Sequence, residues 1–121
     1  MTNFERIQEF HRAFKVLETT RMMTHDEATT LCVGLIEEEL GELKDALKAE
    51  DRVKVFDGLC DLLYVTYGFG DKLGLPMDEG FREVHRSNMT KLGDDGRPVL
   101  RPDGKILKGH TYTPPDLAGL L

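Results

Sequence analysis

Two short acidic stretches hold most of the chemistry available to this chain. Glu37-Glu38-Glu39 is followed by Glu42, and farther along Asp57 and Asp61 stand four residues apart. Spacings of three and four place side chains on one face if each stretch is helical. On a wheel of about 100° per residue with Leu35 at zero, Leu31, Leu35, Ile36, Leu43 and Leu47, with Ala28, Cys32 and Ala46, fill an arc from roughly −40° to roughly +120°. Glu39 falls at about +40° and Glu42 at about −20°, inside that arc, with Glu38 at its rim at about −60° and Glu37 facing away. A bare carboxylate pointing into an apolar seam costs several kcal/mol or takes up a proton. Acidic runs are ordinarily solvated faces; this placement argues otherwise. The second stretch brings further acids rather than compensating cations. Glu38, Glu39, Glu42, Asp57 and Asp61 therefore read as an all-oxygen donor set, the kind preferred by Mg²⁺ or Mn²⁺.

Helices must position these acids. Phe4, Ile7, His11, Phe14 and Leu17 recur at helical spacing, predicting a first helix from about Asn3 to Glu18, capped by Thr2 or Asn3. After a break through Thr19, Thr20 and Arg21, Thr24 and Asp26 open a long helix ending near Ala49. Val53, Phe56, Leu59, Cys60, Leu63 and Tyr67 mark a third, ending about Gly74 ahead of Pro76. The short connection around Glu50 makes the second and third helices an antiparallel hairpin. A fourth runs from about Asp78 to Leu92. Glycines and prolines beyond it exclude another long helix, and Val99-Leu100 and Ile106-Leu107 around Asp103-Gly104 suggest a small ribbon. The expectation is an all-α antiparallel bundle of four to five helices in one domain, 1–121. Its helical core spans about 3–92, and an irregular, basic, Gly/Pro-rich tail spans about 93–121.

Composition narrows the function. A chain of 121 residues suits one core. Sixteen Lys and Arg against 22 Asp and Glu give a net charge of −6, which disfavours nucleic-acid or anionic-membrane binding driven by charge. No apolar run approaches the ~18 residues of a membrane span. Cys32 and Cys60 read as reduced core residues of a cytoplasmic protein, and the four histidines lack paired zinc-ligand spacing. The third helix is apolar nearly all round and so seeks partners on several sides, including a second subunit.

The segments EEELGEL (Glu37 to Leu43) and DGLCDLLYV (Asp57 to Val65) resemble the paired-helix motif of the MazG-like all-α nucleoside triphosphate pyrophosphohydrolases. EVHRSNMTKL (Glu83 to Leu92) and the tail are similar to a group labelled phosphoribosyl-ATP pyrophosphohydrolase-like. The resemblance implies Mg²⁺-dependent cleavage of a nucleoside triphosphate between the α- and β-phosphates, in a homodimer or homotetramer. It carries Glu38, Glu39 and Glu42 onto the first acidic turns and Asp61 onto the last aspartate. Where the general motif has glutamate three residues earlier, this chain has Gly58, with Asp57 beside it.

In that chemistry Glu38 or Glu39 serves as the base that accepts a proton from water. Arg86, Lys91, Lys105 and Lys108 are candidates for the phosphates, Asn88 for a neighbouring polar contact and Tyr112 for stacking on the base. Three functions compete: a house-cleaning (d)NTP pyrophosphohydrolase, a phosphoribosyl-ATP pyrophosphatase of histidine biosynthesis, and a noncatalytic helical dimerisation module.

Overall fold

A computed structural model describes all residues, 1–121. It is mostly helical and divides into two compact units, Met1–Leu75 and Pro76–Leu121.

In the first unit, α1 (Asn3–Ala13) opens with a capping box: the Thr2 hydroxyl accepts from the Glu5 N–H, and the Glu5 carboxylate accepts from the Thr2 N–H. The first helix ends earlier than expected. Lys15 adopts φ 54 and turns the chain into a separate helix, α2 (Val16–Arg21), which covers the segment expected to be a break. A left-handed lysine costs about 1 kcal/mol and leaves no Gly or Pro signature to read. Phe4, Ile7 and His11 are buried as their spacing requires, whereas Phe14 is exposed and stacks on Phe10 at 4.4 Å.

The Thr24 hydroxyl caps α3 (His25–Lys48) by accepting from the Glu27 N–H at 3.1 Å, and Asp51 caps α4 (Arg52–Lys72) by accepting from the Lys54 N–H at 3.1 Å. The turn at Ala49 to Asp51 makes α3 and α4 the expected hairpin, the most extensive helix pair in the chain. Cys32, Leu43 and Ala46 are buried, Leu35 and Ile36 half-buried, and Leu31 and Leu47 exposed. Gly58 is the point of close approach: a Cβ there would lie 3.4 Å from Leu43 Cα and Cβ. Both cysteines are free, but Cys60 is exposed and not a core residue. It lies on a stripe of α4 that also leaves Val53 78%, Phe56 70% and Leu63 55% exposed.

In the second unit, α5 (Met77–Met89) precedes the antiparallel pair β1 (Val99–Leu100) and β2 (Ile106–Leu107), in register Val99 to Leu107. The tail is more ordered than expected. Ser87, 1% exposed, donates to the Thr113 carbonyl at 2.8 Å, and a 3-10 turn covers Ala118–Leu120. Its cations are matched by Asp94, Asp95, Asp103 and Asp116, so the segment is not basic on balance.

Candidate metal centre

The α3–α4 hairpin gathers the acids by helix geometry. Glu38 and Glu39 share one turn of α3 and Glu42 stands on the next, and Asp61 comes from α4, where Gly58 and Leu43 let the backbones close. Glu39 is the focus. Its Oε2 is shut off from solvent and has no hydrogen-bond partner. Burial raises its pKa above the usual carboxylate value, and the charges of Glu42, Asp61 and Glu38 push it further, as does a hydrogen bond shared with Glu42. Leaving such an oxygen unpaired costs about 1–3 kcal/mol.

Beside it opens a cavity of about 460 Å³ walled by Glu42, Asp45, Asp57 and Asp61, with Lys54, Gly58, Ala46 and Ala49 completing the lining. Glu38, Glu39, Glu42 and Asp61 thus form one electrostatic cluster. Asp57 joins it through the cavity it shares with Glu42 and Asp61. A glutamate at position 58 would have to thread its stem past Leu43; glycine closes the seam instead.

Asp45 and Lys54 are the lining residues that sequence reasoning missed. Asp45 follows Glu42 by three residues, at about −80° on the wheel, and that spacing is a readable signal. Lys54 sits one turn before Asp57 and brings one positive charge to the acidic wall.

The donor set fits a hard divalent cation in its chemistry: oxygen-only ligands, surplus negative charge and one buried oxygen without a partner. As they stand, no three His, Cys, Asp or Glu side chains converge closely enough to hold an ion, so ligation would draw the carboxylate arms together.

Arg86, Asn88, Lys91, Lys105, Lys108 and Tyr112 all belong to the second unit. There Arg86 is already engaged. It donates Nε to Glu83 Oε2 at 2.9 Å, Nη2 to Glu83 Oε1 at 2.7 Å and to the Pro114 carbonyl at 3.3 Å, and Nη1 to the Thr113 hydroxyl at 2.8 Å. The Arg86 hydrogen bonds, joined by the Asp116 N–H, hold the Glu83 carboxyl down at about 2. Arg86 therefore fastens the tail to α5. Lys108 Nζ stands 4.7 Å from the Tyr112 ring centroid, a cation–π contact within the tail. Asn88 and Lys105 are exposed, and Lys91 is half-buried.

No helix is long and apolar enough to cross a membrane. Residues 7–88 match the family model described as phosphoribosyl-ATP pyrophosphohydrolase. The chain is also 29% identical over 112 residues to an uncharacterized protein of Acanthamoeba polyphaga mimivirus. That alignment covers 88% of this chain and 42% of the viral protein, so the chain spans less than half the length of that relative. With the family model matched over most of its helical region, the chain belongs to the phosphoribosyl-ATP pyrophosphohydrolase family, within the MazG-like nucleotide pyrophosphohydrolase superfamily.

Proposed function

We propose that this chain is a Mg²⁺-dependent nucleoside triphosphate pyrophosphohydrolase, cleaving between the α- and β-phosphates to give a nucleoside monophosphate and pyrophosphate in a house-cleaning role. One observation carries the reading: Glu39 Oε2, buried and unpartnered, is aimed among Glu38, Glu42 and Asp61. Such an arrangement stores repulsion that a doubly charged cation relieves. Glu38, Glu39, Glu42, Asp57 and Asp61 would hold Mg²⁺, or Mn²⁺ in its place. Once bound, the ion supplies charge neutralisation for the phosphates and polarises water.

Glu39 keeps its proton to higher pH than an ordinary carboxylate. Either Glu38 or Glu39 would accept the proton from water. Among the tail candidates, Lys91, Lys105 and Lys108 remain for the phosphates, with Asn88 and Tyr112 at the nucleotide. Arg86 stays proposed for a phosphate contact as well, its guanidinium in the free chain held by Glu83, Thr113 and Pro114.

A second reading, phosphoribosyl-ATP as substrate, is favoured by the description of the matching family. Assembly as a homodimer or homotetramer through the exposed α4 stripe belongs to the same proposal, because Val53, Phe56 and Leu63 form an apolar surface that a lone protomer leaves in water. The compartment expected is the cytoplasm, with neither nucleic acid nor membrane as partner.

Pyrophosphate release with Mg²⁺ from a panel of nucleoside triphosphates and phosphoribosyl-ATP tests the reading. Release from triphosphates, abolished in Glu42→Gln with the fold retained, is the expected result. Turnover of phosphoribosyl-ATP alone favours the second reading, and release from none overturns both.

A further inference from the structure

A second cavity lies within the Met1–Leu75 unit, toward the far end of the α3–α4 hairpin. Its volume, about 250 Å³, falls below the roughly 300–1,000 Å³ that enclose whole drug-sized ligands. It suits one ring of a nucleotide rather than all of it. Its apolar lining includes Cys32, which is buried, Phe69 and Ala28, which are half-buried, and the exposed Leu73. Around the rim stand Arg21, His25 and Lys72, with Thr20, Thr24 and Thr29.

Arg21 and Lys72 bring donors to the cavity, while Thr20 already donates its hydroxyl hydrogen to the Val16 carbonyl at 2.9 Å. No carboxylate or carboxamide lines the cavity. Asp71, next to Lys72 in sequence, is turned to His11, and neither Arg21 nor Lys72 enters an ion pair. Arginine and lysine side chains carry N–H donors and no acceptor. The Thr24 hydroxyl oxygen already accepts from the Glu27 N–H, leaving its O–H to donate.

The cavity is also placed along the acidic stripe. On the wheel Ala28 lies at about +20° and Cys32 at about +60°, flanking Glu39 at about +40°. Seven residues from Cys32 to Glu39 span about 10 Å of helix axis, and eight from Phe69 to Asp61 about 12 Å. A nucleotide with its phosphates at the acids would bring its far end to this cavity.

We propose that the cavity receives the base of the nucleotide, its ring against Cys32 and Phe69, and that the cationic rim selects bases edged with carbonyl oxygens, such as uracil, thymine or xanthine. An exocyclic amine, as on cytosine or adenine, would face cations and find no free carboxylate. This rests on the pyrophosphohydrolase reading and adds a substrate class to it.

The test follows deoxyuridine and deoxycytidine monophosphates binding to the full chain by NMR in EDTA, alongside pyrophosphate release from dUTP and dCTP with Mg²⁺. The uracil nucleotide is expected to bind about tenfold tighter or more and to move the resonances of Thr29, Cys32 and Phe69. Arg21→Met and Lys72→Met should cut that preference to about twofold while leaving Mn²⁺ uptake unchanged. Equal binding, a cytosine preference, shifts confined to other residues, or displacement of the uracil nucleotide from these residues by inorganic phosphate would overturn the inference. Pyrophosphate release without base preference overturns this inference alone. No release from any triphosphate overturns the reading of the acidic centre, and the binding arm still decides the cavity.

Discussion

Replacing Glu39 by glutamine should stabilise the metal-free protein and at the same time remove its response to Mg²⁺. The side chain keeps its volume, loses its charge, and gains an amide that can donate to the neighbouring Glu42 carboxylate, whose charge helps raise the Glu39 pKa. Relief of one unpaired buried oxygen is worth about 1–2 kcal/mol. For a domain of this length each kcal/mol moves the melting temperature by about 3–5 °C, so Glu39→Gln should melt about 3–10 °C higher in EDTA. In the wild type, Mg²⁺ at one hundred times its Kd should add about 2.7 kcal/mol, and this increment should vanish in the variant.

The pH dependence has a definite sign. The folded state holds the Glu39 proton more tightly than the unfolded state, so metal-free stability falls as pH rises from 4.5 through the raised value. Glu39→Gln should flatten that slope. Thermal melts followed by circular dichroism, in EDTA and in Mg²⁺, between about pH 4 and 8, measure all three effects. A variant that melts no higher than wild type in EDTA, or that keeps the full Mg²⁺ increment, would refute the reasoning.

Three further outcomes follow from local contacts. His11, 6% exposed, meets Asp71 at 2.5 Å. His11→Leu should cost about 1–3 kcal/mol by removing the near partner of Asp71, which Gln8 Nε2 still reaches at 3.5 Å, and the His11→Leu/Asp71→Leu pair should cost less than the sum of its single variants in denaturant titrations. Glu83, held down at about 2, contributes stability present above its ordinary value of 4.5 and lost as pH falls toward about 2. The protons of Thr113 and Asp116 should accordingly lose hydrogen-exchange protection over that window. Arg86→Ala should open the tail to limited proteolysis while leaving Mn²⁺ uptake at the wild-type level; lost uptake would contradict its assignment as a tail fastener.

The α3–α4 hairpin was legible because its signals are local: Thr24 and Asp51 cap, Gly74 at φ 69 ends α4, and the apolar arc runs long enough to show that Glu39 points inward. Features that depend on distant partners were not. Lys15 turns the chain at φ 54 without glycine or proline, so the end of α1 carries no local signature. Cys60 falls in an apolar pattern, yet its side chain is exposed. The Arg86 bond to Thr113 joins residues 27 apart in the chain, and no short-range pattern announces it. The second cavity likewise joins Arg21 and Cys32 to Lys72, from opposite ends of the unit.

Manganese titration of the purified chain, read by electron paramagnetic resonance, weighs the acidic seam most directly. Saturable uptake below millimolar concentration, abolished in Glu39→Gln and Glu42→Gln while both variants remain folded, is the expected result. Absence of uptake at millimolar manganese, or uptake undiminished in both variants, would contradict it.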